Sequence, residues 1–110
     1  MSGKVIQPSV IERAVAILLD AAPPGSQVIL FGSYARGNAR EQSDLDFLVV
    51  EPKLSDRRGE TVRLRSLLRP LRLAVDVLVV SRASFDAWKD VPNNVIYEAA
   101  REGRTYARAA

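Results

Sequence analysis

Between Leu73 and Val80 the chain reads Leu-Ala-Val-Asp-Val-Leu-Val-Val, and Asp76 is the single polar residue of the stretch. A short run this rich in valine and leucine reads as a buried strand. Aspartate is depleted in strands, and a carboxylate among apolar neighbours either changes its pKa or finds a cation.

A second apolar run opens with acids as well: Asp44-Leu45-Asp46-Phe47-Leu48-Val49-Val50. Side chains two apart on a strand share a face, so Asp44 and Asp46 point the same way. If the two strands are neighbours, three carboxylates converge. Like charges so placed repel, and divalent cations are the natural remedy. Two ions roughly 3.5–4 Å apart form the clamp used in phosphoryl and nucleotidyl transfer. The plainer alternative is a half-exposed strand at Asp44 and Asp46, with Asp76 paired to one of many arginines. A lone D-x-D divides evenly between the two, and Asp76 tips the balance toward metal.

Composition narrows the chemistry further. The 110 residues contain no cysteine and no histidine. Disulfides, thiol nucleophiles, zinc knuckles and imidazole bases are thereby excluded, and any metal site must use oxygen ligands, which favour magnesium, manganese or calcium. The length suits one compact domain over 1–110, large enough for a core but too small for a deep substrate lobe as well. A net charge of +3 suits phosphate-bearing ligands or an acidic partner but is too small an excess to argue for direct nucleic-acid binding. No apolar run is long enough for a membrane span, and no charged-then-apolar leader precedes the first element, so a cytoplasmic location without membrane contact is expected.

The remaining elements follow from periodicity and breakers. Apolar residues at Val10, Ile11, Ala14, Ile17 and Leu18 give a helix over about Pro8 to Ala22, with Ser9 as a candidate cap and Pro23-Pro24-Gly25 as its stop. Gln27 to Phe31 is a strand. Gly32-Ser33-Tyr34-Ala35-Arg36-Gly37 is a brief helix that Gly37 closes. Asp44 to Val50 is a central strand ended by Pro52. Asp56 to Leu68 is a helix carrying Leu64, Leu67, Leu68 and Leu71 on one face and Arg58, Arg65, Arg69 and Arg72 on another, until Pro70 breaks it. That arginine row is a solvated face or a seat for an acidic partner. Leu73 to Val80 is the third strand. A short helix from Ser81 to Lys89, capped by Ser81 or Ser84, precedes a last helix capped by Asn93 or Asn94 that runs toward Gly103. Phe85 and Trp88 are expected in the core or at an interface. The fold class is α/β: a small mixed central sheet packed with helices.

Gly32-Ser33 follows a strand and opens a helix, which presents backbone N–H groups and a positive helix end to an anion. Glycine admits a close phosphate, and the Ser33 hydroxyl can donate to it. No Gly-Lys-Ser/Thr follows, so this is not a Walker loop. The spacing is more telling: Gly32-Ser33, ten intervening residues, then Asp44-Leu45-Asp46. With Asp76 on the following strand and Ile96 through Ala100, Gly103 and Tyr106 resembling a terminal helix, the chain resembles the minimal nucleotidyltransferase (MNT) group of the DNA polymerase beta superfamily over nearly its whole length.

That resemblance implies a nucleotidyltransferase fold and a division of labour. Asp44 and Asp46 would hold two Mg2+ ions, and Asp76 would complete the site, with Gly32 and Ser33 cradling the triphosphate of ATP. Arg36, one helical turn after Ser33, either touches the leaving phosphates or is a surface arginine. Tyr34 reads as a packing residue or a neighbour of the site and not as a catalyst. Proteins of this size resemble the antitoxin of HEPN–MNT toxin–antitoxin pairs, in which the MNT protein adenylylates a tyrosine of a HEPN ribonuclease toxin. A HEPN-type partner and a hetero-oligomer are therefore implied. Neutralisation by occlusion alone, and transfer to a small molecule, are the alternatives. No residue points to base preference.

Overall fold

The computed structural model describes residues 5–108. Helix α1 (Pro8–Ala21) begins at Gln7 as its cap, with proline in the first turn, so Ser9 is not the cap expected from the sequence. Proline needs no N–H there and already holds the helical φ. Ile11, Ala14, Val15 and Leu18 form its buried stripe.

Strand β1 (Gln27–Phe31) leads into the four-residue helix α2 (Ser33–Arg36), closed by Gly37 in the left-handed conformation. Strand β2 (Leu45–Glu51) is buried at six of its seven positions. Helix α3 (Arg57–Leu67) is capped by Asp56, whose carboxylate accepts from Gly59 N at 3.0 Å. It stops before Pro70, and residues Arg69–Leu71 form a separate 3-10 turn. The expected row of four arginines on one helix face is accordingly broken: Arg58 and Arg65 lie on α3, while Arg69 lies in the 3-10 turn and Arg72 takes a left-handed φ of 54° just beyond it.

Strand β3 (Val75–Ser81) is followed by α4 (Arg82–Trp88) and α5 (Val95–Glu102), capped by the side chains of Ser81 and Asn94. The terminal helix expected to include Tyr106 stops at Glu102. Residues Arg104–Ala107 instead form a fourth strand, β4, antiparallel to β1. Gly103 packs against Ala99, Ile29 and Leu30, where a Cβ would collide, so the chain turns there directly onto the sheet. Four residues carry too little periodicity to announce a strand, and the pairing that creates it is with residues nearly eighty positions away.

The sheet order is β3-β2-β1-β4, with β2 and β3 parallel and the other pairs antiparallel. Strand alternation sorts the core into two layers. Val28, Leu30, Phe47, Val49, Val77 and Val79 meet α1 and α3 on one face. Ile29, Leu48, Val50 and Val80 meet Phe85, Ile96 and Ala99 of α4 and α5 on the other. The β2-α3-β3 crossover makes the parallel pair possible, and that pair positions the acids.

One acid sits where the core pattern wants an apolar residue. Glu51, the last residue of β2, is 2% exposed, and its Oε2 is buried with no hydrogen-bond partner. Burial, then a hydrogen bond to the Glu60 carboxylate and that group's charge, push the Glu51 carboxyl up to about 8. Glu60 is held low, chiefly by Arg63, which grips it through Nε and Nη2 at 2.8 Å each and also donates to Ala21 O. Because the folded pKa of Glu51 lies above its unfolded value, the stability tied to its proton is present at acid pH and lost as pH rises through about 8. The melting temperature should therefore fall by roughly 5–10 °C between about pH 5 and pH 8. Differential scanning fluorimetry across that range checks this, and Glu51→Gln, which needs no proton, should flatten the profile.

Candidate functional site

The register across the sheet accounts for the site. In the antiparallel β1–β2 pair Phe31 faces Asp46, and in the parallel β2–β3 pair Asp46 faces Asp76. Neighbouring strands lie about 4.8 Å apart, so the two aspartates start from adjacent backbones on the same face. That face is the one covered by α4 and α5. Asp44 falls just before β2 and not within it, but it borders the same cavity.

This cavity, of about 640 Å³, is lined by Gly32, Ser33, Arg36, Asp44, Asp46 and Asp76 among others. All six residues singled out from the sequence therefore meet in one place. Asp46 is the most enclosed of the three aspartates, and its carboxyl is pushed up by burial first and then by the charges of Asp76 and Asp44, with Arg36 opposing. The site holds more negative charge than it can comfortably keep. Among the described residues no group of three or more acidic side chains is arranged so that it could hold a metal ion as it stands. Oxygen donors and an excess of negative charge nevertheless fit a hard divalent cation and suit no softer metal.

Gly32 has a positive φ of 78°, and a Cβ built on it would run into the Asp46 carboxylate. The backbone is thus pressed directly onto the acid, and only glycine meets both conditions. The first N–H groups of the helical turn after it have no intrahelical partner. Ala35 N and Arg36 N bond back to Gly32 O, and Gly37 N and Asn38 N both bond to Ser33 O. The turn is therefore fixed at both ends.

Tyr34 packs as expected: its hydroxyl accepts from Ile6 N at 2.9 Å and its ring joins the α1 side of the core. Arg36 Nη1 donates to Glu102 Oε1 at 3.1 Å, an exposed pair between α2 and α5. Such surface pairs are worth little, so this guanidinium is available to a stronger anion. Glu98 also lines the cavity and adds its charge against Asp46. It was not anticipated because its approach depends on how α5 lies over the sheet, which no local pattern records. Gln42 joins the lining from the loop before β2 in the same way.

A three-stranded site of this order, with a glycine-serine turn against paired aspartates, matches a known family. The family model described as a nucleotidyltransferase domain covers residues 11–102. The chain belongs to the nucleotidyltransferase domain family. It is 61% identical over 31 residues to a Methanocaldococcus jannaschii protein whose name assigns it, by inference, as a protein adenylyltransferase; the match takes in 28% of this chain and 21% of that relative. Among solved structures, it is similar to a chain described as a toxin–antitoxin with AMP-PNP, with a TM-score of 0.62 and 20% identity over 88% of this chain and 73% of the other. It is also similar to a chain from a tri-AMPylated Shewanella oneidensis HEPN toxin in complex with MNT antitoxin, with a TM-score of 0.60 and 18% identity over 94% and 74% of the two. At those identities the likeness is one of fold. Among the described residues no helix is long and apolar enough to cross a membrane.

Gly32→Ala should weaken ATP binding by at least about tenfold, measured by isothermal titration calorimetry, while the far-UV circular dichroism stays that of the wild type. Glu102→Gln, which removes only the exposed partner of Arg36, should move stability by less than about 1 kcal/mol in urea unfolding.

Proposed function

We propose that the chain transfers AMP from ATP to a tyrosine of a HEPN-type toxin protein, acting as its antitoxin. The observation that carries this is the row formed by Asp46 and Asp76 on paired strands, with Gly32-Ser33 closing one end of the same cavity. The names of the similar proteins, a protein adenylyltransferase and a toxin–antitoxin complex with an AMPylated toxin, support the acceptor class.

The chemistry asks little covalent work of the protein and much positioning. The backbone at Gly32 and the Ser33 hydroxyl hold the triphosphate, and Arg36 turns from Glu102 to the leaving phosphates. The tyrosine oxygen forms a bond to the α-phosphorus as the bond from that phosphorus to the bridging oxygen breaks, and pyrophosphate leaves in line. The hydroxyl proton passes to the Asp76 carboxylate, since the chain has no histidine to take it. Asp44, Asp46 and Asp76 would hold two Mg2+ ions, which when bound offset the charge built up on the phosphoryl oxygens. Until that charge arrives, the mutual repulsion of the aspartates and the raised Asp46 carboxyl are a cost the site carries.

With α-labelled ATP, Mg2+ and a co-expressed HEPN-type protein, label should appear on the partner. Asp44→Asn combined with Asp46→Asn should reduce the transfer by at least about a thousandfold. A stable complex without label, for any of the four nucleoside triphosphates, would sink the enzyme reading and leave neutralisation by occlusion. Neutralisation that survives in the double variant would show that occlusion suffices.

A further inference from the structure

Three of the arginines expected along one helix face still share a surface. Arg58 and Arg65 lie two turns apart on α3, about 10 Å along its axis. Pro70 breaks the row, yet Arg69 and Arg65 line one hollow, of about 420 Å³, between α3 and the start of β3. The α3 wall of this hollow is Val62, Arg65, Ser66 and Leu68, and the opposite wall is Leu73, Ala74 and Val75. None of these residues lines the carboxylate cavity, so the two sites are separate.

The three cations lack countercharge. Among the described residues Arg36 is held by Glu102 and Arg63 by Glu60, whereas Arg58, Arg65 and Arg69 have neither an ion pair nor a hydrogen bond. The acids at the start of α3 are already engaged: Asp56 caps the helix, and Glu60 is gripped by Arg63. No acid lines the hollow.

Apolar surface lies among these charges. Val62, one turn after Arg58, is 61% exposed, the barest of the large apolar side chains among the described residues. Across the hollow Leu73 and Val75 are only partly buried. Unpaired cations around a bare valine and a concavity are the makings of an interface and not of an ordinary solvated face.

We propose that this face of α3 binds an acidic, amphipathic helix of a protein partner, with carboxylates on Arg58, Arg65 and Arg69 and an apolar side chain in the hollow. A helix repeats its own face every seven residues, so carboxylates at that spacing can meet both Arg58 and Arg65. Such a helix supplies charge and apolar contact at once, as in helix-in-groove recognition. A nucleic acid would answer the charge but not Val62, and neither α3 nor the hollow offers an aromatic side chain on which a base could stack. A bilayer surface is flat and could not enter the concavity. A second copy of the chain meeting this face with its own would oppose arginine with arginine. Docking here needs no catalysis, and only the choice of a HEPN-type protein as the first partner to test rests on the function proposed above.

In calorimetric titration of a HEPN-type protein with the intact chain, Arg65→Glu combined with Arg69→Glu should weaken the complex at least about thirtyfold. The milder Arg65→Gln with Arg69→Gln should weaken it about fivefold. Both positions lie outside the carboxylate cavity, so ATP affinity should stay within about twofold of wild type. The wild-type complex should itself weaken about tenfold or more between about 0.05 and 0.5 M NaCl. A complex indifferent to both arginine pairs overturns the proposal. If the wild type forms no complex, that choice of partner fails and a second probe decides. A fluorescein-labelled amphipathic peptide of glutamate and leucine should bind the wild type at least about tenfold more tightly than its glutamine counterpart, and Arg65→Glu with Arg69→Glu should erase that preference. Equal binding of the two peptides, or tighter binding of polyuridine RNA than of the acidic peptide, would refute the acidic helix.

Discussion

The parallel pairing of β2 with β3 is the constraint from which the rest of the structure follows. It sets Asp46 opposite Asp76, and it does so through a register specified by the core. A slip of one residue would turn Phe47, Val49, Val77 and Val79 out of the layer under α1 and α3, at a cost far exceeding what two aspartates save by separating. The hydrophobic pattern thus compels two like charges into proximity. The site is built by apolar burial and paid for in electrostatics, which is the form stored strain takes at many functional sites.

The same logic explains which parts of the molecule could be read from the chain. The run from Asp44 to Val50 announces its strand because burial on both faces leaves a near-continuous apolar signal, whereas in Leu73 to Val80, on the edge strand, only Val77, Val79 and Val80 are buried and Asp76 is exposed. The three aspartates were visible because they break that signal. Caps were legible to within a residue: Ser81 and Asn94 do cap α4 and α5, whereas Asn93 instead takes a φ of 70°. The start of α1 at Pro8 was legible, but its cap is Gln7 and not the candidate Ser9, which lies inside the first turn.

What could not be read depends on distant contacts. Strand β4 exists only by pairing with β1, and the residues before it resemble a continuing helix. The end of α3 was legible, since Pro70 stops it within a residue of Leu68; the 3-10 turn at Arg69–Leu71 and the left-handed Arg72 that carry the chain toward β3 were not. Glu98 and Glu51 illustrate the two faces of this limit. One reaches the site only through the docking of α5 over the sheet, and the other is an acid inside the core whose tolerance depends on a proton shared with Glu60.

The contact between Gly32 and Asp46 has a consequence for recognising such sites in other chains. A turn that must be both left-handed and devoid of a side chain carries as much information as a carboxylate, because a single residue type satisfies it. A sequence that keeps all three acids but places alanine at this position can retain the core pattern and the sheet, and on inspection of its acids would pass for an intact relative. Its turn, however, would put a Cβ against the Asp46 carboxylate, and that side chain or the turn would have to shift. The glycine is thus as informative a mark of this geometry as the aspartates it faces.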